Sequence, residues 1–160
     1  MVLGDDILHF NLSTNLVSLL IAALSGMLMA VQGSLNATLS KVIGLLETTF
    51  VVHIIGAVVS AVLLFGFRLE KFNLSEIGLG PWYSYLGGII SIFIIYLVAA
   101  SIPKVGVANA TTAIIIGQVL TAVLIDYFGL FGLVEYHFDW QKIIGIVLLA
   151  IGAKLLLQNL

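Results

Sequence analysis

Gln32 and Asn36 stand four residues apart inside a long apolar run, which places both amides on one face of a helix. An amide in hydrocarbon either bonds to a neighbouring helix, a contact worth about 1 kcal/mol, or is held for a solute that needs a donor and an acceptor. The residue types leave both uses open. His53 lies about five residues into the second apolar run, where its ring can brace a helix or carry a proton. Gln118, near the middle of the fourth run, is the stronger candidate for solute contact, because interfacial water does not reach that depth. Asp126 closes the same run; interfacial solvation accounts for it as well as a proton or gating role does. Thr111, Gln118 and Ile125 share a stripe, with Thr121 beside it. At about 1.5 Å per residue, Gln32 and His53 fall at similar depth, about 8–9 Å from one surface, close enough in height for the two to meet, with Glu47 just above.

The elements that position these groups are read from composition and run length. Hydrophobic residues make up 61% of the 160 and charged ones 9%, too little charge to cover a soluble surface, so the chain reads as an all-α membrane protein. Five apolar runs are expected to cross a bilayer, at about 16–38, 48–67, 81–102, 107–128 and 143–157, since each crossing needs about 20 apolar residues. They form one transmembrane domain over 14–160, preceded by an interfacial segment at 1–13 that carries Asp5, Asp6, His9 and Phe10. Pro103 is expected to end the third helix at Ile102 and to leave a tight hairpin. Trp82, Tyr83, Tyr85, Tyr136 and Trp140 fall near one face. Tyr83, Tyr136 and Trp140 fit an interfacial belt, whereas Trp82 and Tyr85 offer apolar or cation–π surface to a solute. Gly145 and Gly152, seven apart with Ala153 adjacent, mark a seam of close approach either within the bundle or between copies.

Several function classes drop out. The net charge of −2 without a basic cluster excludes nucleic acid as a partner, and the absence of Cys excludes disulfides and thiolate chemistry. Zinc-protease, serine-hydrolase and phosphate-loop motifs are all missing, so an enzyme is not expected, nor a metal or cofactor. The six basic residues divide evenly: Arg68, Lys71 and Lys142 on the N-terminal side, Lys41, Lys104 and Lys154 on the other. A three-to-three split removes the charge excess that orients membrane proteins. Insertion both ways is therefore expected, with two inverted copies pairing as an antiparallel dimer.

Short motifs then align with one family. Gln32-Gly33-Ser34-Leu35-Asn36-Ala37, Pro81-Trp82-Tyr83 leading to Leu86-Gly87-Gly88, and Gly117-Gln118 followed by Leu124-Ile125-Asp126-Tyr127-Phe128-Gly129 resemble the YdcZ family. These are five-span, half-size members of the drug/metabolite transporter superfamily, and the resemblance covers about 16–158. Tyr127 departs from it, standing where many members have His. The resemblance implies a secondary transporter, an exporter of a small metabolite or drug-like solute, in the bacterial cytoplasmic (inner) membrane. It would work by alternating access as a dual-topology antiparallel homodimer enclosing a central cavity. Carried over by position, the solute-contacting set is Gln32, Asn36, Trp82 and Gln118, to which Tyr85 is added for its ring; His53 and Asp126 remain proton or gating groups. The alternatives are a small dual-topology ion channel or a non-transporting structural subunit. Partners are the lipid bilayer, the solute and a second, inverted copy.

Overall fold

A lipid environment leaves backbone groups no partner but the helix itself, and the chain obeys that constraint throughout its apolar runs. The computed structural model describes residues 3–67, 74–133, 135 and 139–158; Arg68, Lys71 and Tyr136, which enter the expected charge balance and aromatic belt, lie outside them. Five α-helices follow in order: α1 (Leu3–Ile43), α2 (Leu45–Ala61), α3 (Leu86–Val105), α4 (Val107–Phe128) and α5 (Trp140–Leu156). A π turn, Val62–Gly66, prolongs α2, and 3-10 turns at Leu74–Leu79 and Trp82–Tyr85 lead into α3. No strand occurs among the described residues. Among the described residues four stretches are long and apolar enough to cross a membrane: Asn15–Ile43, Leu45–Gly66, Trp82–Val105 and Val107–Phe128. α5 is shorter, at 17 residues.

Helix α1 is unbroken from Leu3 onward, with no interruption where the expected interfacial segment meets the first span. Two connections are much tighter than the run boundaries suggest. A single residue, Gly44, joins α1 to α2, and a single residue, Gly106, joins α3 to α4. Their backbone angles nearly coincide, φ 99° and ψ 162° against φ 83° and ψ 162°, a region that essentially only glycine occupies. The surrounding hydrogen bonds repeat as well. Gly44 N–H donates to Ser40 O at 3.0 Å and Thr48 N–H to Gly44 O at 3.1 Å; Gly106 N–H donates to Ile102 O at 2.9 Å and Ala110 N–H to Gly106 O at 3.1 Å. Small buried residues sit at matching places in each crotch, Ala37 and Thr48 in the first, Ala99 and Ala110 in the second. The chain thus contains one helical hairpin built twice, with both turns on the same side.

The expected stop at Ile102 is wrong by a turn. Pro103 lies inside α3, which continues to Val105. Proline disfavours a helical residue before it, but Ile102 is buried in the core cluster with Ala37 and Ala110, flanked by Val98 and Val105. Packing of that residue overrides the local preference, and the turn waits for Gly106.

α1 packs on α2, α3 and α4; α2 also packs on α3, and α3 on α4. Among the described residues α5 packs on α4 alone. The interior is small-residue and thin. Accessible surface totals 12645 Å², whereas a soluble monomer of this mass would expose about 7,700 Å². Lipid or another copy must cover the difference.

A groove between the two hairpins

α1 brings Gly33 onto α3 so closely that an added Cβ would stand 2.9 Å from Val98 Cγ1 and 3.1 Å from Ile102 Cδ1. A larger residue there would have to displace the Val98 and Ile102 side chains. Beside this contact the helices diverge and leave a groove of about 440 Å³ between α1, α3 and α4. Its walls are mostly aliphatic, among them Val98, Ile102 and Ile114, and its polar groups are Gln32 and Asn36 from α1 with Thr111 and Gln118 from α4. Such a volume falls within the range of about 300–1,000 Å³ that small-molecule sites occupy.

Three of the sequence-derived solute residues, Gln32, Asn36 and Gln118, therefore border one space. The other two do not. Trp82 is 76% exposed and Tyr85 53% exposed, and neither lines the groove. Trp82 lies edge-on to Tyr83, which in turn contacts Phe131, while the Tyr85 hydroxyl donates to Ile77 O. These rings belong to the aromatic start of the third span, as an interfacial belt would. Asp126 is half-buried at the end of α4, eight residues from Gln118 and outside the groove.

His53 does not meet Gln32. Its Nδ1 lies 2.7 Å from Thr49 O in its own helix, and its Nε2 lies 2.9 Å from Ser91 Oγ on α3. Both ring nitrogens are thus engaged away from α1. Counting residues gives the height of a side chain but not the direction it faces, and here α2 turns His53 toward α3. Ser91 shares a helical stripe with Ile95, Val98 and Ile102, so His53 touches the same face of α3 that walls the groove.

Two residues with structural consequence carry weak signals in the sequence. Ser91 is a small polar residue in a mostly aliphatic and aromatic run, a hint of a partner without a hint of which. Thr48 is fully buried and its Oγ1 has no hydrogen-bond partner among the described residues. Next to it, Thr49 Oγ1 donates to Leu45 O at 2.9 Å.

Four long apolar helices, three of them bordering a polar-tipped groove, define a polytopic membrane protein with a space for a small solute. A family model described as "Putative inner membrane exporter, YdcZ" matches residues 17–155, and the chain belongs to that family. The family is one of membrane exporters rather than enzymes, and its place is the inner membrane. Neither a curated protein nor a solved structure matches the chain.

Proposed function

We propose that the protein is a secondary exporter of a small metabolite or drug-like solute, working by alternating access as a dual-topology antiparallel homodimer. The observation that carries this reading is the convergence of Gln32, Asn36 and Gln118 on one groove between the two hairpins. Three amides at one place in an otherwise aliphatic lining are costly in hydrocarbon unless something fills the space between them. Within this reading α5 is the fifth span; 17 residues lie at the short end of the range of about 17–25 that crosses a bilayer. The groove is then half of a cavity, completed by the same face of an inverted copy. Exchanging the conformations of two identical chains turns an inward-open state into an outward-open one.

Comparative profiling of the growth medium tests the reading while the solute is still unidentified. Cells producing the protein should enrich the medium in one solute or a few, saturably, and cells producing Asn36→Leu or Gln118→Leu at equal membrane abundance should not. Identical media from wild type and both variants would defeat the proposal. Rapid, unsaturable ion flux through the reconstituted protein would instead favour a channel.

A further inference from the structure

Most polar side chains on these helices are satisfied by their own backbone. Ser34, Thr38, Thr49, Ser60 and Thr112 each donate a hydroxyl hydrogen to the carbonyl four residues back, and Asn109 Nδ2 does the same to Val105 O. The groove breaks this habit. Gln32, Asn36, Thr111 and Gln118 have no side-chain hydrogen bond among the described residues. Asn36 is the telling case, because it is only 5% exposed and lines the groove. A buried amide offers one carbonyl acceptor and two N–H donors side by side in a plane. In a low-dielectric setting those groups call for a hydrogen-bonding partner.

The second observation is the absence of charge. None of the fifteen lining residues is Asp, Glu, Lys, Arg or His. Asp126 stands about 12 Å along α4 from Gln118, and His53 is turned to Thr49 and Ser91. An ionised solute would enter without a counter-charge, at a desolvation cost that hydrogen bonds from neutral amides do not offset. The aromatic rings that would hold a cation, Trp82 and Tyr85, lie elsewhere.

We propose that the groove takes an uncharged solute bearing an amide-type edge, a carbonyl beside an N–H, docked edge to edge on Asn36 with its apolar part against Val98, Ile102 and Ile114. Thr111 and Gln118 supply the facing polar contacts. The proposal rests on the groove being the exporter's solute site, and it narrows what that site accepts.

The full chain, purified in nanodiscs, can be titrated calorimetrically with three compounds of one shape: 4-phenylbutanamide, 4-phenylbutanoate and 4-phenylbutylammonium. The amide should bind at least tenfold more tightly than either ion. Asn36→Leu should weaken amide binding at least tenfold, and Thr111→Val, which keeps the side-chain shape, about threefold or more, while helicity by circular dichroism stays that of wild type. Tighter Asn36-dependent binding of either ion would overturn the proposal, as would amide binding indifferent to both substitutions or no amide binding at millimolar concentration. The outcomes separate the two claims. If Asn36→Leu abolishes export but an ion is preferred, the exporter stands and the solute class falls; if Asn36→Leu changes neither export nor binding, both fall.

Discussion

His53 is held in a hydrogen-bond chain whose polarity can be worked out atom by atom. Thr49 O can only accept, so Nδ1 carries a hydrogen. Ser91 Oγ–H donates to Gly88 O at 2.7 Å, which leaves Oγ to accept from Nε2. The same atoms allow a second arrangement, in which the Ser91 hydroxyl leaves Gly88 O and donates to Nε2. Switching between the two rearranges a bond to α3, on the face that walls the groove. If this is how the exporter couples to protons, His53→Gln should lose transport driven by a pH gradient while solute exchange without a gradient survives. Unchanged gradient-driven uptake in proteoliposomes would reduce His53 to a helix brace. Thr48 makes the opposite kind of prediction. Its buried Oγ1 has no partner among the described residues, so Thr48→Val, which keeps the shape, should raise stability by about 1 kcal/mol, seen as a higher melting temperature in detergent. At this scale the sequence is informative where a side chain conflicts with its surroundings. Gln32, Asn36 and Gln118 stand out because amides in hydrocarbon need a reason. The His53–Ser91 pair is hidden because its partners are 38 residues apart and nothing local sets their relative rotation.

The elements depart from expectation at their ends rather than their middles. The apolar runs announce the helices, since hydrocarbon permits little else, but hydropathy is blind to whether a polar stretch such as Ser40-Lys41 is loop or final helical turn. Here it is helix, and Lys41 sits in the last turn of α1, where its charge meets the negative end of the helix dipole. What ends both helices is backbone geometry, and glycine alone reaches it. Gly106→Ala should cost about 1–3 kcal/mol because it forces an L-residue into the glycine-only region, even though no atom lies within 4 Å of the new methyl. Gly44→Ala should cost at least as much, since its methyl would also collide with the Glu47 carboxylate. Equal melting temperatures for wild type and Gly106→Ala in detergent would show that the hairpin tolerates a looser turn. The repeat of the hairpin is poorly legible in the residues: what recurs is a spacing of small residues about one glycine, not a motif.

On the scale of the whole molecule, the exposed surface is the governing fact. Only 6–11% of the most apolar window in each of the four long spans is buried within one chain. Among the described residues α5 rests on α4 alone, and although Ala153 is buried, methyls added at Gly145 or Gly152 would meet nothing within 4 Å, so those two glycines are not packed inside the chain. A second copy is the occupant favoured by the proposed exporter cycle. A reporter fused to the C-terminus should then be found on both sides of the membrane in substantial amounts. Nearly uniform orientation, with no separately encoded inverted partner, would remove the dual-topology dimer. Charge counting makes that expectation visible, but no sequence pattern tells which faces pair, because lipid-facing and partner-facing residues are equally apolar.

One-residue turns have a mechanical meaning. A helix pair pinned by Gly44, with Ala37 and Thr48 filling its crotch, behaves as a stiff lever, and so does the pair pinned by Gly106. Neither lever has slack at its closed end. The two pairs come close where Gly33 meets Val98 and Ile102, and those three residues also line the groove. If the proposed exporter cycle tilts the two levers against each other about Gly33, the fulcrum and the proposed solute site share an address. A solute docked on Asn36, three residues from the fulcrum, would feel every tilt directly.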